Sequence, residues 1–161
     1  MAERPSSPVI GSILLASADP AALRSWYERA FGVAADVDGF LQLGDVGLLI
    51  DGRDDVAARA AEPARLILNL HVPDARAAAA RLDEIGVTWL AELEYRPQGG
   101  AWFATVIGPD GNYVQVIEIT DAYWPARQER EQAQAQARPD AARQPAAAAR
   151  SSSSRVVASG G

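Results

Sequence analysis

Few side chains in this chain are equipped to make or break bonds. There is no cysteine, which excludes thiolate nucleophiles, disulfides and cysteine-based metal sites. There is one histidine, His71, the only side chain of a type that changes charge near neutral pH. It suits a general base or a hydrogen bond to a ligand, and equally a strand-end partner for the helix cap at Asp74. A single histidine also removes most histidine metal sites and the usual Ser-His machinery. Glu92 and Glu94 share a strand face, but no carboxylate pair is spaced to converge on one point. What remains is hydrogen-bonding chemistry on apolar strands, carried by Asn69, His71, Tyr113 and Gln115, groups that each need a partner when buried.

Charge narrows the partners. The formal net charge is −6, and within residues 1–120 nine Arg face seventeen Asp and Glu. An acidic globular part lacks the cationic face that releases phosphate counterions, so nucleic acid is not an expected partner. No run approaches the roughly 18 apolar residues of a membrane span. The first residues lack the apolar core of a signal peptide, and a cytoplasmic protein is expected.

The elements that must position these groups follow from patterning. Residues 1–8 read as a flexible lead-in and 9–17 as a strand. Asp19-Pro20 is a helix start, a capping carboxylate followed by proline in the first turn. Leu23, Trp26, Tyr27, Ala30 and Phe31 then share one helical face, and Gly32 ends the helix. Short strands are expected at 33–37, 40–43 and 46–50, divided by Asp38-Gly39 and Gly44-Asp45 turns. Residues 51–65 form a charged, Ala-rich linker with room for a helical turn. The order then recurs, with a strand at 66–72 and a helix capped by Asp74 with Ala78, Leu82 and Ile85 on its face. Gly86 ends that helix, and strands follow at 87–93, 102–107 and 113–119. Strand, capped helix, glycine and three strands therefore occur twice, an internal duplication of a βαβββ unit. Residues 120–161 are Ala/Gln/Arg/Ser-rich, with no apolar stripe. They are expected to be a largely disordered tail in which Tyr123 and Trp124 alone have surface to dock.

The last hairpin carries a family resemblance. Gly108-Pro109-Asp110-Gly111-Asn112 lies between two apolar runs, with proline presetting one corner and Gly111 and Asn112 tolerating positive φ. With the duplicated order and both Asp-capped helices, it resembles the vicinal oxygen chelate family of glyoxalase I, extradiol dioxygenases and bleomycin-resistance proteins. The resemblance covers residues 9–119, as modules 9–50 and 66–119 joined by the linker. It implies an α+β fold in which two βαβββ modules form a curved, partly open eight-stranded mixed sheet around a central cavity.

In that family four cavity-facing positions hold a divalent metal. By resemblance they fall here on Ser12 and Ile67, each seven residues before a capping Asp, and on Leu48 and Gln115, each four after a hairpin Gly. Leucine and isoleucine offer no lone pair, and one amide oxygen with one hydroxyl does not hold a transition metal against water. The metal-dependent activities therefore do not carry over, and no metal or other cofactor is expected. Strand alternation adds Leu14, Asn69, His71, Phe103, Thr105 and Tyr113 to the inward set, a mostly apolar wall with a few polar points. Gly99-Gly100 is read as a mobile lip. The implied function is metal-independent binding of an apolar or aromatic small molecule, such as sequestration of an antibiotic or natural product, with a homodimer plausible. The alternative is a metal-free isomerase, cyclase or oxygenase using His71 or Tyr113 in proton transfer.

Overall fold

A computed structural model describes residues 9–141, with side chains to residue 136. The expected lead-in at 1–8 and the end of the tail lie outside the described residues. Chain order runs strand β1 (Ser12–Ser17), helix α1 (Pro20–Phe31), strands β2 (Phe40–Leu43) and β3 (Val46–Gly52), and a 3-10 turn at Pro63–Arg65. Strand β4 (Ile67–His71), helix α2 (Ala75–Glu84), strands β5 (Thr88–Arg96), β6 (Ala101–Ile107) and β7 (Tyr113–Ile119), and helix α3 (Tyr123–Ala141) complete it.

Helices α1 and α2 begin as their caps dictate. Asp19 accepts from Ala22 N at 3.0 Å and Asp74 from Ala77 N at 2.9 Å, satisfying first-turn N–H groups that have no helical partner. The carboxylate of Glu118 on β7 accepts from Ala75 N at 2.8 Å, tying the start of α2 to its sheet. Gly32 ends α1 in the left-handed conformation, at φ 65°.

The strands form two mixed sheets, ordered β1-β3-β2 and β4-β7-β6-β5. A single eight-stranded sheet does not form among the described residues, and residues 33–37 do not supply the expected strand. Only an isolated bridge, Ala35 to Leu41, remains there. The Asp36 carboxylate explains the loss. Its oxygens accept from Asp38 N at 3.0 Å, Phe40 N at 2.9 Å and Gln42 Nε2 at 3.1 Å. A side chain that takes local N–H groups competes with a sheet ladder and folds the segment into a turn.

The two modules share one core. Leu23, Trp26, Tyr27 and Ala30 of α1 and Leu82 of α2 meet Leu15, Leu41, Leu48 and Ile50 of the first sheet and Val106, Val114 and Val116 of the second. Burial pushes the Tyr27 hydroxyl well above the usual phenol range, helped by the negative charge of Asp110.

The linker is fastened to the last hairpin. Ala60 N donates to Asp110 O at 2.7 Å, and Gly111, at φ 83°, lies close under Arg59 and Ala60. The tail departs from the expected disorder over Tyr123–Ala141, where Ala, Gln, Arg and Glu favour the helix α3 by propensity. That helix closes the expected lip. Thr120 donates from both N and Oγ1 to Gly100 O, at 3.0 and 2.7 Å, and Arg130 Nη1 donates to Gln98 O at 2.7 Å. Gly100 is buried, and a Cβ there would lie 2.4 Å from Tyr123 N. The Gly99-Gly100 turn is therefore a docking point for α3. Tyr123 is half-buried against it, while Trp124 stays exposed.

Candidate ligand-binding face

Cross-strand register arranges the candidate residues of the second sheet in three rows on one face. Ile67, Tyr113, Ile107 and Thr88 lie opposite one another, then Asn69, Gln115, Thr105 and Ala91, then His71, Ile117, Phe103 and Glu94. Neighbouring strands are about 4.8 Å apart, so each row is continuous side-chain surface. The first row is mainly apolar, the middle row is a polar strip, and the third sets Ile117 and Phe103 between His71 and Glu94. Within it Gln115 Nε2 donates to Thr105 Oγ1 at 3.2 Å, which directs the amide oxygen away from that hydroxyl. At the end of the third row Arg96 lies 4.7 Å from the Phe103 ring centroid and its Nε donates to Glu94 Oε1 at 2.7 Å. That ion pair over an aromatic ring escaped the sequence reading, because two bulges shift the register of β5 between Trp89 and Glu94.

The first sheet presents the equivalent rows Ser12, Gly47 and Gln42, then Leu14, Leu49 and Phe40. Leu48 is not among them. It is fully buried in the core and points at the helices. The residue equivalent to Gln115 is Leu49, paired with Leu14 as Gln115 is paired with Asn69. Counting four from the glycine fails because the hairpins differ in length. Leu43 pairs with Val46 across a two-residue loop, whereas Ile107 pairs with Tyr113 across five residues. Strand faces alternate with every residue, so a change in where the glycine sits in its loop inverts the parity.

The candidate residues also do not surround one enclosed space. Ser12, Leu14, Ile67, Asn69 and His71 are exposed, Phe103, Tyr113 and Gln115 half-buried, and Thr105 buried. Across the modules the packing runs through α1 against α2 and the common core. The candidate faces of both sheets therefore look outward from a single chain. His71 takes no part in capping α2, whose first-turn N–H groups are held by Asp74 and Glu118.

The corrected four positions are Ser12, Leu49, Ile67 and Gln115. Two are alkyl, and the amide nitrogen of Gln115 is committed to Thr105. No group of three or more His, Cys, Asp and Glu among the described residues is placed to share an ion. This donor set does not fit a divalent transition metal.

Duplicated modules with a parallel first-to-last strand pair, a capped helix on one side and a side-chain array on the other define a paired-module α+β protein of the vicinal oxygen chelate type. The chain belongs to the glyoxalase-like domain family, whose model matches residues 12–117. No curated protein matches the chain. Among solved structures, it is similar to a glyoxalase/bleomycin resistance protein/dioxygenase from Nocardioides, at 19% identity and TM-score 0.53, over 73% of this chain and 87% of that one. It is similar to TnmS3, an antibiotic binding protein from Streptomyces sp. CB03234, at 21% identity and TM-score 0.53, over 73% of this chain and 100% of that one. A lactoylglutathione lyase from Agrobacterium tumefaciens matches at 20% identity and TM-score 0.52, over 71% and 95%. At these identities the likeness is one of fold. No helix among the described residues is long and apolar enough to cross a membrane.

Proposed function

We propose that the chain binds an apolar or aromatic small molecule without a metal ion, on the face carrying Asn69, Gln115 and Thr105. The observation that carries this reading is the polar strip set between the mainly apolar first row and the Phe103 ring of the third. Tyr113 and Phe103 offer area to a flat ring, and the Asn69 and Gln115 amides offer hydrogen bonds to its edge. An antibiotic or other natural product has this make-up, and TnmS3, of like fold, is an antibiotic binding protein.

An open face grips weakly, and a second copy of the chain is the natural cover. Leu14 is 58% exposed and Ile67 40% exposed on the faces in question. A homodimer that set the apolar row Leu14, Leu49 and Phe40 of one copy over the polar strip of the other would enclose a ligand between unlike walls.

The test is a thermal-shift screen of aromatic natural products and divalent metals, followed by titration calorimetry and light scattering. A hit should leave the mass of the ligand unchanged after incubation, and Gln115→Leu should weaken it about tenfold, the worth of one neutral hydrogen bond of ~1.4 kcal/mol. Leu14→Glu should shift a dimer to monomer and lower affinity with it. A rise in melting temperature with a transition metal, reversed by chelator, overturns the metal-free reading. Conversion of the ligand to product overturns the binder in favour of an enzyme.

A further inference from the structure

We infer a second ligand site in the cleft between the two modules, one that takes an apolar chain or ring bearing a single carboxylate. The cleft has a volume of about 590 Å³ and is lined by the end of α1, the β2–β3 hairpin, β4 and α2. That size is within the range of small-molecule pockets, roughly 300–1,000 Å³. Its walls are Phe31, Val33, Leu43, Leu70, Val72 and Ala78. The cleft-lining residues α2 contributes between Asp74 and Arg81 are alanines, which leave the space unfilled.

Two features give the cleft a polarity. At one end is Arg81, whose Nη1 lies 2.7 Å from where a Cβ on Gly32 would stand. The guanidinium is thus held at the carbonyl end of α1, a favourable place for a cation. None of the four ion pairs among the described residues involves it. At the other end is Asp74, seven residues earlier on α2 and so about 10 Å away along the helix. One carboxylate oxygen of Asp74 is occupied by Ala77 N. A carboxylate ligand is drawn to the Arg81 end, and a second negative charge at the far end is opposed by Asp74.

The third feature is a free strand edge. β4 lies at the edge of its sheet. Val72 N donates inward to Ile117 O at 2.9 Å. Strand alternation then turns the main-chain N–H and C=O groups of Asn69 and His71 away from β7, and both residues line the cleft. A bound molecule can therefore meet unpaired backbone groups along its length. The cleft uses the Leu70 and Val72 side chains and the outer edge of β4 at Asn69 and His71, whereas the proposed face is centred on Gln115 and Thr105, which do not line the cleft, so a change at Gln115 tells the two sites apart.

The experiment titrates the full chain with octanoate and with octanedioate, read by amide chemical shifts and by calorimetry. Octanoate should move the amides of Leu70, Val72 and Ala78, and bind at least tenfold more tightly than octanedioate. Ala77→Phe, at an exposed position on the cleft wall, should block it. Arg81→Gln, which removes the charge without filling the cleft, should weaken it about tenfold. Gln115→Leu should leave it unaltered. The site is overturned if octanoate leaves those amides unmoved at millimolar concentration, if neither Ala77→Phe nor Arg81→Gln weakens it, if octanedioate binds as well, or if Gln115→Leu removes binding and so places the ligand on the sheet face.

Discussion

The two modules descend from one pattern and have divided the work. The same register position reads Leu14, Leu49 and Phe40 in the first sheet and Asn69, Gln115 and Thr105 in the second. The first module carries more of the core, with four buried residues on α1 against two on α2. The second carries the complete four-stranded sheet and the polar strip. Where metal-binding relatives need donors from both modules, this chain keeps an apolar row in one and an amide in the other. The asymmetry favours a site with one greasy wall and one hydrogen-bonding wall over a site built around an ion.

The largest expected effect tests which residues belong to which face. Leu48 is fully buried, so Leu48→Ala should cost ~2–5 kcal/mol of stability through lost burial and a residual cavity. Leu49, half-buried on the opposite face, should cost clearly less when cut to alanine. Denaturant unfolding of the two variants checks this, and equal losses would break the assignment of Leu49 as the counterpart of Gln115.

The contrast between Leu48 and Leu49 also shows what was legible in the sequence. Both Asp caps, the α1 core face, the face of β7 and the repeated order, short of the strand expected at 33–37, follow from local chemistry and period, and these are present. Parity in the first module is not local. It depends on how many residues the Gly44 loop spends before pairing resumes, which the sequence does not state. The missing strand at 33–37 turned on Asp36, whose side chain outcompeted a ladder that apolar content alone favoured. The inter-module cleft joins residues from both modules, Phe31 and Leu43 with Leu70 and Arg81, and no spacing within either module announces it.

A smaller effect separates two glycines of equivalent hairpins. Gly44 and Gly111 both have positive φ, at 65° and 83°. Replacing either with alanine should cost about 1 kcal/mol or more for the left-handed backbone. Around Gly44 nothing lies within 4 Å of an added Cβ, whereas at Gly111 Ala60 N stands 3.2 Å and Arg59 Cβ 3.4 Å away. Gly111→Ala should therefore lose more than Gly44→Ala, with the excess measuring how firmly the linker holds the second hairpin. Equal melting temperatures for the two variants would mean that the linker yields freely.

The smallest effect belongs to the first module and fades in acid. Hydrogen bonds from Phe40 N and then the Gln42 amide, with lesser ones from Asp38 and Gly39, hold the Asp36 carboxyl below the usual aspartate range. A lowered folded-state pKa means that the unfolded chain takes up the proton first as pH falls. The stabilisation from this charge is complete above the unfolded value of about 3.9 and is lost as pH drops through the lower folded value. Asp36→Asn keeps one oxygen acceptor and removes the charge. It should melt below the parent protein at pH 7, and the gap should close as both are titrated down from about pH 4. Because the group is open to solvent, the gap stays small beside the losses at Leu48 and Gly111. The second module has no residue in Asp36's role, since its equivalent segment pairs as the strand β5. A gap that persists unchanged at low pH would mean that shape, not charge, makes the turn that replaced the strand.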